Sequence, residues 1–255
     1  VVGGAGFIGS HMVLALQEAG YSPVVLDNLC KGHRESVIDA PLVNGDMADT
    51  KILNDLFTQY SFSAVMHFAS FIEVGESVQQ PLMYYQNNVA ATINLLQAMQ
   101  RHQVKHFIFS STAAVYGEPS FTPITESHPK LPLNPYGKSK WMVEEIINDV
   151  ARSSDLQFAI LRYFNAAGAD PKGRLREKHE PESHLIPLIL QAANKQREGI
   201  KIFGRDYATP DGTCLRDYVH VTDLCVAHVL ALEALLKGRK SLVANLGTGK
   251  AYSVL

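Results

Sequence analysis

"VVGGAGFIGSH" occupies Val1 to His11 and sets Gly3, Gly6 and Gly9 at three-residue intervals. Two valines of strand character precede the glycines, and apolar residues at helical spacing follow them. Glycines so placed permit a tight turn, close approach of backbone to a pyrophosphate, and close packing of a helix on a strand. The helix N-terminus beyond them offers free N–H groups and a partial positive charge. The stretch therefore predicts a strand, a phosphate-binding turn at Gly3, Gly6 and Gly9, and a helix over Ser10–Ala19. The next strand, "SPVVLDN", ends at Asp27, about twenty residues on, where a carboxylate accepts from an adenosine ribose hydroxyl and repels a 2′-phosphate. The expected cofactor is NAD rather than NADP. Asp46 and Met47 close a third strand, "PLVNGDM", and bracket the adenine; Asp46 has a second reading as a helix cap.

The alternation continues with a helix around Ile52–Tyr60, the strand "SAVMHFA", a helix over Tyr84–His102, the strand "KHFIFSS", a Pro-rich loop, another helix, and the strand "LQFAILRYFN". Near-continuous apolar strands alternating with helices predict an α/β fold, a Rossmann-type doubly wound parallel sheet covered on both faces. Residues 1–165 form the NAD-binding domain on this reading. Residues 166–255 form a smaller C-terminal substrate-binding region, incomplete, with helices around His184–Lys195 and Thr222–Leu236 and room for a strand returning to the main sheet. Both ends read as interrupted elements, so a longer parent protein is expected.

Of the 255 residues, 46% are hydrophobic and 19% charged, with net charge −2. A large core is affordable, and no basic excess points to a nucleic-acid partner. No apolar run is long enough to span a bilayer, and no secretory signal appears. Cys30, Cys214 and Cys225 are too far apart for a disulfide framework or a metal cluster, which fits a reducing cytoplasm. Among the histidines, His102 and His106 come nearest to a ligand spacing, but without the glutamate of H-E-x-x-H, and no metal is expected.

"NPYGKSKWMVEE", Asn134 to Glu145, sets Tyr136 four residues before Lys140. Apolar residues at Val143, Ile146, Ile147, Val150 and Ala151 put the pair on the first turns of an amphipathic helix. Residues at i and i+4 share a face, so a phenol and an ammonium can point into one space. A nearby cation lowers a tyrosine pKa and makes a general base of it. The plainer reading is a surface Tyr and Lys.

The glycine pattern together with "YGKSK" resembles the extended short-chain dehydrogenase/reductase superfamily. "SSTAAVYG" (Ser110–Gly117) looks like its strand-end hydroxyl segment, and "FGRDYATPDGTCLRDYVHVTDL" (Phe203–Leu224) closely resembles the signature of the UDP-glucose 4-epimerase family. "HFASFIEVGESV" and "LRYFNAAGA" fit the same family, and the likeness covers essentially the whole chain. It implies NAD-dependent 4-epimerisation of a UDP-hexose, UDP-glucose or UDP-galactose, through a transient 4-keto sugar, in a homodimer. Tyr136 is then the base, Lys140 holds the nicotinamide ribose and lowers the tyrosine's pKa, and Thr112 supplies a hydroxyl beside the reacting oxygen. Phe7, Ile8, Asp27, Asn28, Asp46, Met47, Phe68, Ala69, Ser70, Asn87, Ser110 and Phe164 line the cofactor. Thr112, Tyr163, Asn165, His184, Leu185, Lys201, Ile202, Phe203 and Arg216 face the nucleotide sugar, with Arg216 on the diphosphate, where a planar guanidinium fork suits phosphate oxygens. Ile72 and His184 depart from the family's Lys and Asn; His184 can still donate to phosphates or act as a helix cap. Dehydratases of the superfamily carry an Asp-Glu pair where this chain has Ala113 and Ala114, and alanine cannot transfer protons.

Overall fold

The computed structural model describes residues 1–179 and 182–255. Gly6 caps α1 (Phe7–Glu18), which starts three residues earlier than the apolar spacing predicts. The glycine turn is itself the entry: Gly6 N–H donates to the Gly3 carbonyl and Ser10 N–H to that of Gly6. Then come β1 (Val25–Asp27), β2 (Leu42–Asn44), α2 (Thr50–Gln59) and β3 (Val65–His67). Asp49 caps α2 by accepting from the N–H groups of Lys51 and Ile52.

The helix expected over Tyr84–His102 is three pieces following α3 (Val74–Gln79): α4 (Pro81–Tyr84), a π-helical turn (Tyr85–Ala90), and α5 (Ala91–Arg101). Pro81 sits in the first turn of α4, where its missing N–H costs nothing. Beyond it lie β4 (His106–Thr112), α6 (Pro135–Arg152), β5 (Gln157–Tyr163) and the short β6 (Asn165–Ala167). The last third holds α7 (Leu185–Ala193), β7 (Leu215–Arg216), β8 (Tyr218–His220), α8 (Val221–Leu236), β9 (Leu242–Leu246) and β10 (Tyr252–Ser253).

The main sheet is parallel throughout. Val2 bridges Leu26 on one side and His67 on the other, giving the order β2–β1–Val2–β3–β4–β5–β9. Strand order therefore reverses at Val2, and the crevice outside the strand ends at such a reversal is where α/β sheets bind ligands. Side chains alternate between two cores. Phe107, Phe109, Phe158 and Ile160 pack with α2, α5 and α6 through Leu53, Leu95 and Ile147, whereas Ile108, Leu161 and Tyr163 pack with α1 and α8 through Met12, Leu16, Leu224 and Leu235. This two-sided burial is why the strands read as apolar runs. Residues 221–246 sit on this sheet, α8 against α1 and β9 beside β5, although a division at residue 165 counts them with the second region. Outside it, β6 pairs with β8 in parallel and β7 with β10 antiparallel.

Candidate active site

The glycine turn admits no larger residue at two points. Gly3 has φ +78°, and a Cβ there would lie 2.3 Å from the Ala69 nitrogen; a Cβ on Gly9 would lie 2.1 Å from the Gly3 carbonyl oxygen. Backbone, rather than side chain, thus lines the turn, as a pyrophosphate cradle requires. Asp27 holds the turn in place: its carboxylate accepts from the N–H of Ala5 (2.9 Å) and of Leu29 (2.8 Å). A carboxylate has capacity for further donors after two such bonds, so ribose hydroxyls can still be received there. Asn28 donates to Asp46 (2.8 Å), which also accepts from Ala48 N–H (2.7 Å).

Asp27, Asn28 and Asp46 line a cleft of about 580 Å³, counted with its open mouth, together with Gly3, Gly6, Met47, Phe68, Ala69, Ser70 and Asn87. Phe7, Ile8 and Gly9 form the first turn of α1 beside it. Asn87 lies on the π-helical turn. Its neighbour Asn88 is buried, donating to Ser139 Oγ on α6 (3.0 Å) and clamping the Phe71 backbone through both ends of its amide. Glycines, Asp27 and the α1 N-terminus together fit a dinucleotide, the adenosine at Asp27 and the diphosphate at Gly6.

Asn134 caps α6 by accepting from Gly137 N–H (2.8 Å), with Pro135 at the first helical position. A Cβ on Gly137 would meet the Ala114 carbonyl oxygen at 2.7 Å, so this glycine lets the helix start press against the end of β4. That approach brings half-buried Tyr136 to Thr112. Thr112 Oγ1 accepts from Ala114 N–H (3.1 Å), which leaves its own O–H to donate to the phenol. Burial pushes the Tyr136 pKa above its ordinary value of 10.0, and the Thr112 hydrogen bond pulls partly back.

Lys140 follows one turn later on α6. It is 3% exposed, its Nζ donates to the Ser110 carbonyl (2.8 Å), and it lies over the Phe109 ring at 4.9 Å. Burial lowers its pKa to about 7, with Glu144 opposing. This face of α6 is packed on β4, so one N–H of Lys140 is spent on a backbone carbonyl and two are left for other acceptors.

Tyr163, expected at the sugar, is 6% exposed and turned to the opposite face of the sheet, with its hydroxyl 2.5 Å from His228 Nε2. His228 Nδ1 faces the Leu224 carbonyl, which can only accept, so Nδ1 carries the proton and Tyr163 is the donor to Nε2. Phe164 packs by Gly247, where a Cβ would meet its ring at 3.0 Å. Asn165 opens β6 and donates its N–H to Asp217. Asp217 also receives the N–H groups of Thr248 and Gly249, which fixes β7 and β8 to the turn after β9. Arg216 is exposed on β7 and donates to the Leu215 carbonyl (2.9 Å). Leu185 opens α7 behind His184, whose ring is held by Glu182 (2.9 Å) and Glu177 (3.2 Å) rather than capping the helix. Lys201, Ile202 and Phe203 lie in irregular chain outside the cleft, with Phe203 81% exposed. Ile72 is exposed as well.

Sequence reasoning missed the residues that hold this edge together. Buried Glu144 receives Ser111 Oγ (2.5 Å) and the Arg162 guanidinium (Nε at 3.0 Å), and Arg162 donates onward to the Tyr116 hydroxyl (2.7 Å). Tyr116 in turn donates to Asn245 on β9 (2.6 Å). The one available signal was an arginine inside the apolar run "FAILRYF".

Residues 1–247 match the NAD dependent epimerase/dehydratase family. The UDP-glucose 4-epimerase of Halalkalibacterium halodurans is 54% identical over 254 residues, covering all of this chain and 76% of that one. The UDP-arabinose 4-epimerase 1 of Arabidopsis thaliana is 46% identical, covering all of this chain and 64% of that one. The crystal structure of UDP-glucose 4-epimerase from Brucella ovis in complex with NAD superposes with a TM-score of 0.97 at 49% identity, over 99% of this chain and 78% of that one.

Proposed function

The chain belongs to the NAD dependent epimerase/dehydratase family, and from that premise we propose that it interconverts UDP-glucose and UDP-galactose by inverting C4, with NAD as cofactor, in the cytoplasm. The observation that carries the reading is the close approach of the α6 start to the end of β4 at Gly137, which sets Tyr136 beside Thr112 and next to two residues without protons to give, Ala113 and Ala114. Bound NAD supplies a hydride acceptor that becomes the donor again within one turnover, so no outside oxidant is consumed. Tyr136 takes the proton of the sugar 4-hydroxyl and returns it. Thr112 orients that exchange, because its hydroxyl beside the phenol favours the phenolate. Lys140 spends one of three N–H donors on Ser110 and keeps two for ribose hydroxyls. Asn165, His184, Leu185, Lys201, Ile202, Phe203 and Arg216 receive the nucleotide sugar. The exposed guanidinium of Arg216 is free to fork onto the diphosphate.

Elimination to a 4-keto-6-deoxy sugar needs an acid and a base near C5 and C6, and the alanines deny both. UDP-glucose incubated with the purified protein is therefore expected to yield UDP-galactose and no deoxy product by chromatography. Accumulation of the deoxy sugar would overturn the assignment in favour of a dehydratase.

We also infer a homodimer. Val78 (62% exposed), Leu82 (80%), Ile93 (37%) and Met142 (44%) lie on α3, α4, α5 and α6, and water-facing apolar clusters of this kind mark association surfaces. Sedimentation at micromolar concentration is expected to give twice the chain mass, and Leu82→Glu to give the monomer. A wild-type monomer at those concentrations would refute the dimer.

A further inference from the structure

Four side chains on the segment before α7 converge on one point: Glu177, His179, Glu182 and His184, with one nitrogen or oxygen of each lying within 4.8 Å of the others. Nδ1 of His184 is 2.9 Å from Glu182 and 3.2 Å from Glu177, and Nδ1 of His179 is 3.4 Å from Glu177 and 3.8 Å from Glu182. Direct pairing accounts for His184, whose Nδ1 meets Glu182 at 2.9 Å, but not for His179. His179 Nδ1 is buried between two carboxylates and makes a directed hydrogen bond to neither. The two glutamates are not surface acids dissolved in water, since their side chains are 9% and 8% exposed.

We propose that these four residues form a closed tetrahedral site for a divalent cation of the zinc class. Bonds of about 2.0–2.2 Å to nitrogen and oxygen imply ligand–ligand edges of about 3.3–3.6 Å in a tetrahedron. One oxygen of Glu177 lies 3.4 Å from His179 and 3.2 Å from His184, close to that range, whereas Glu182 meets the two imidazoles through different oxygens, Oε2 at 3.8 Å and Oε1 at 2.9 Å, so its carboxylate must turn to present one oxygen to an ion at the centre. Two carboxylates with two neutral imidazoles balance a double positive charge. The mixed donor set selects zinc or its first-row neighbours over calcium and magnesium, which take oxygen ligands. Four protein ligands leave no open position, so the ion's role is structural. His179 lies edge-on to Phe7 at 6.3 Å, and Lys178 pairs with Glu35 at 3.1 Å. An ion here pins the approach to α7 against the first turn of α1, beside the cofactor cradle. The site shares His184 with the proposed sugar contacts: Nδ1 turns to the glutamates, which leaves Nε2 for a phosphate, and metal binding is read without substrate.

The test is calorimetric titration of Zn²⁺ into the chelator-treated, purified chain, with Co²⁺ as a spectroscopic probe. About one saturable equivalent is expected, with the intense visible absorption of tetrahedral cobalt. The double variant His179→Gln, His184→Gln is expected to bind at least about 100-fold more weakly, beyond the 10–100-fold typical for a lost outer-sphere partner. Glu177→Gln keeps the side chain's shape and is the milder control on folding; it is expected to weaken Zn²⁺ and alter the cobalt spectrum. Absence of a saturable equivalent, a pale octahedral cobalt spectrum, or a Glu177→Gln protein with unchanged affinity and spectrum each overturns the site and leaves an ion-pair cluster.

Discussion

Tyr136→Phe is expected to fold, retain NAD, and lose epimerisation by about 10²- to 10⁴-fold, the usual worth of general acid–base help. The ring stays, so the helix start keeps its packing, and only the hydroxyl that meets Thr112 goes. The pH behaviour follows from the site's geometry. Without cofactor, burial holds the phenol above 10.0, and at neutral pH it is a neutral hydrogen-bond partner, not a base. A cationic nicotinamide beside the phenol would favour the phenolate, so the Tyr136 titration, read as the absorbance difference between wild type and Tyr136→Phe, is expected at lower pH with NAD bound than in stripped protein. Lys140→Ala should weaken NAD retention and leave the stripped protein's phenol titration nearly unmoved. Near-normal turnover in Tyr136→Phe would place the base elsewhere. A phenol pKa equal with and without NAD would remove the nicotinamide from the account.

Glu144→Ala is expected to cost about 3–5 kcal/mol of folding stability, the range for breaking a buried ion pair from one side. Arg162 is 3% exposed and would keep its charge with no carboxylate beside it. Against a typical total of about 5–15 kcal/mol, this is a large fraction. Glu144→Leu with Arg162→Met removes both charges and should be less destabilising than either single change. Urea unfolding of the three proteins measures it. A loss below about 1 kcal/mol for Glu144→Ala would mean that water reaches the guanidinium.

Local chemistry made much of this legible in the sequence. The glycine turn, Asp27 and the amphipathic face of α6 are properties of short windows, and the parallel sheet follows from apolar runs alternating with helices. Tyr163 could have been placed as well: period-two alternation puts it on the face of Ala159 and Leu161, away from Arg162. The Lys140–Ser110 bond was not legible, because i, i+4 geometry says which residues share a face and not what covers it. Glu144 and Arg162 each look ordinary alone, and their pairing exists only once α6 lies across β5. The Glu177–His184 cluster sits in irregular chain, where no periodicity announces which side chains converge.

The seating of α8 on α1 has a consequence for how the chain acquires its structure. Met12 and Leu16 have apolar partners, Leu224, Leu232 and Leu235, far along the sequence. Half of the sheet's covering therefore cannot close during synthesis until Leu235 has emerged, and that long loop must be ordered before its contacts repay it. Until then the nascent chain carries an uncovered apolar face. A protein ended at residue 165 would keep the cofactor turn and still be a client of chaperones rather than a domain.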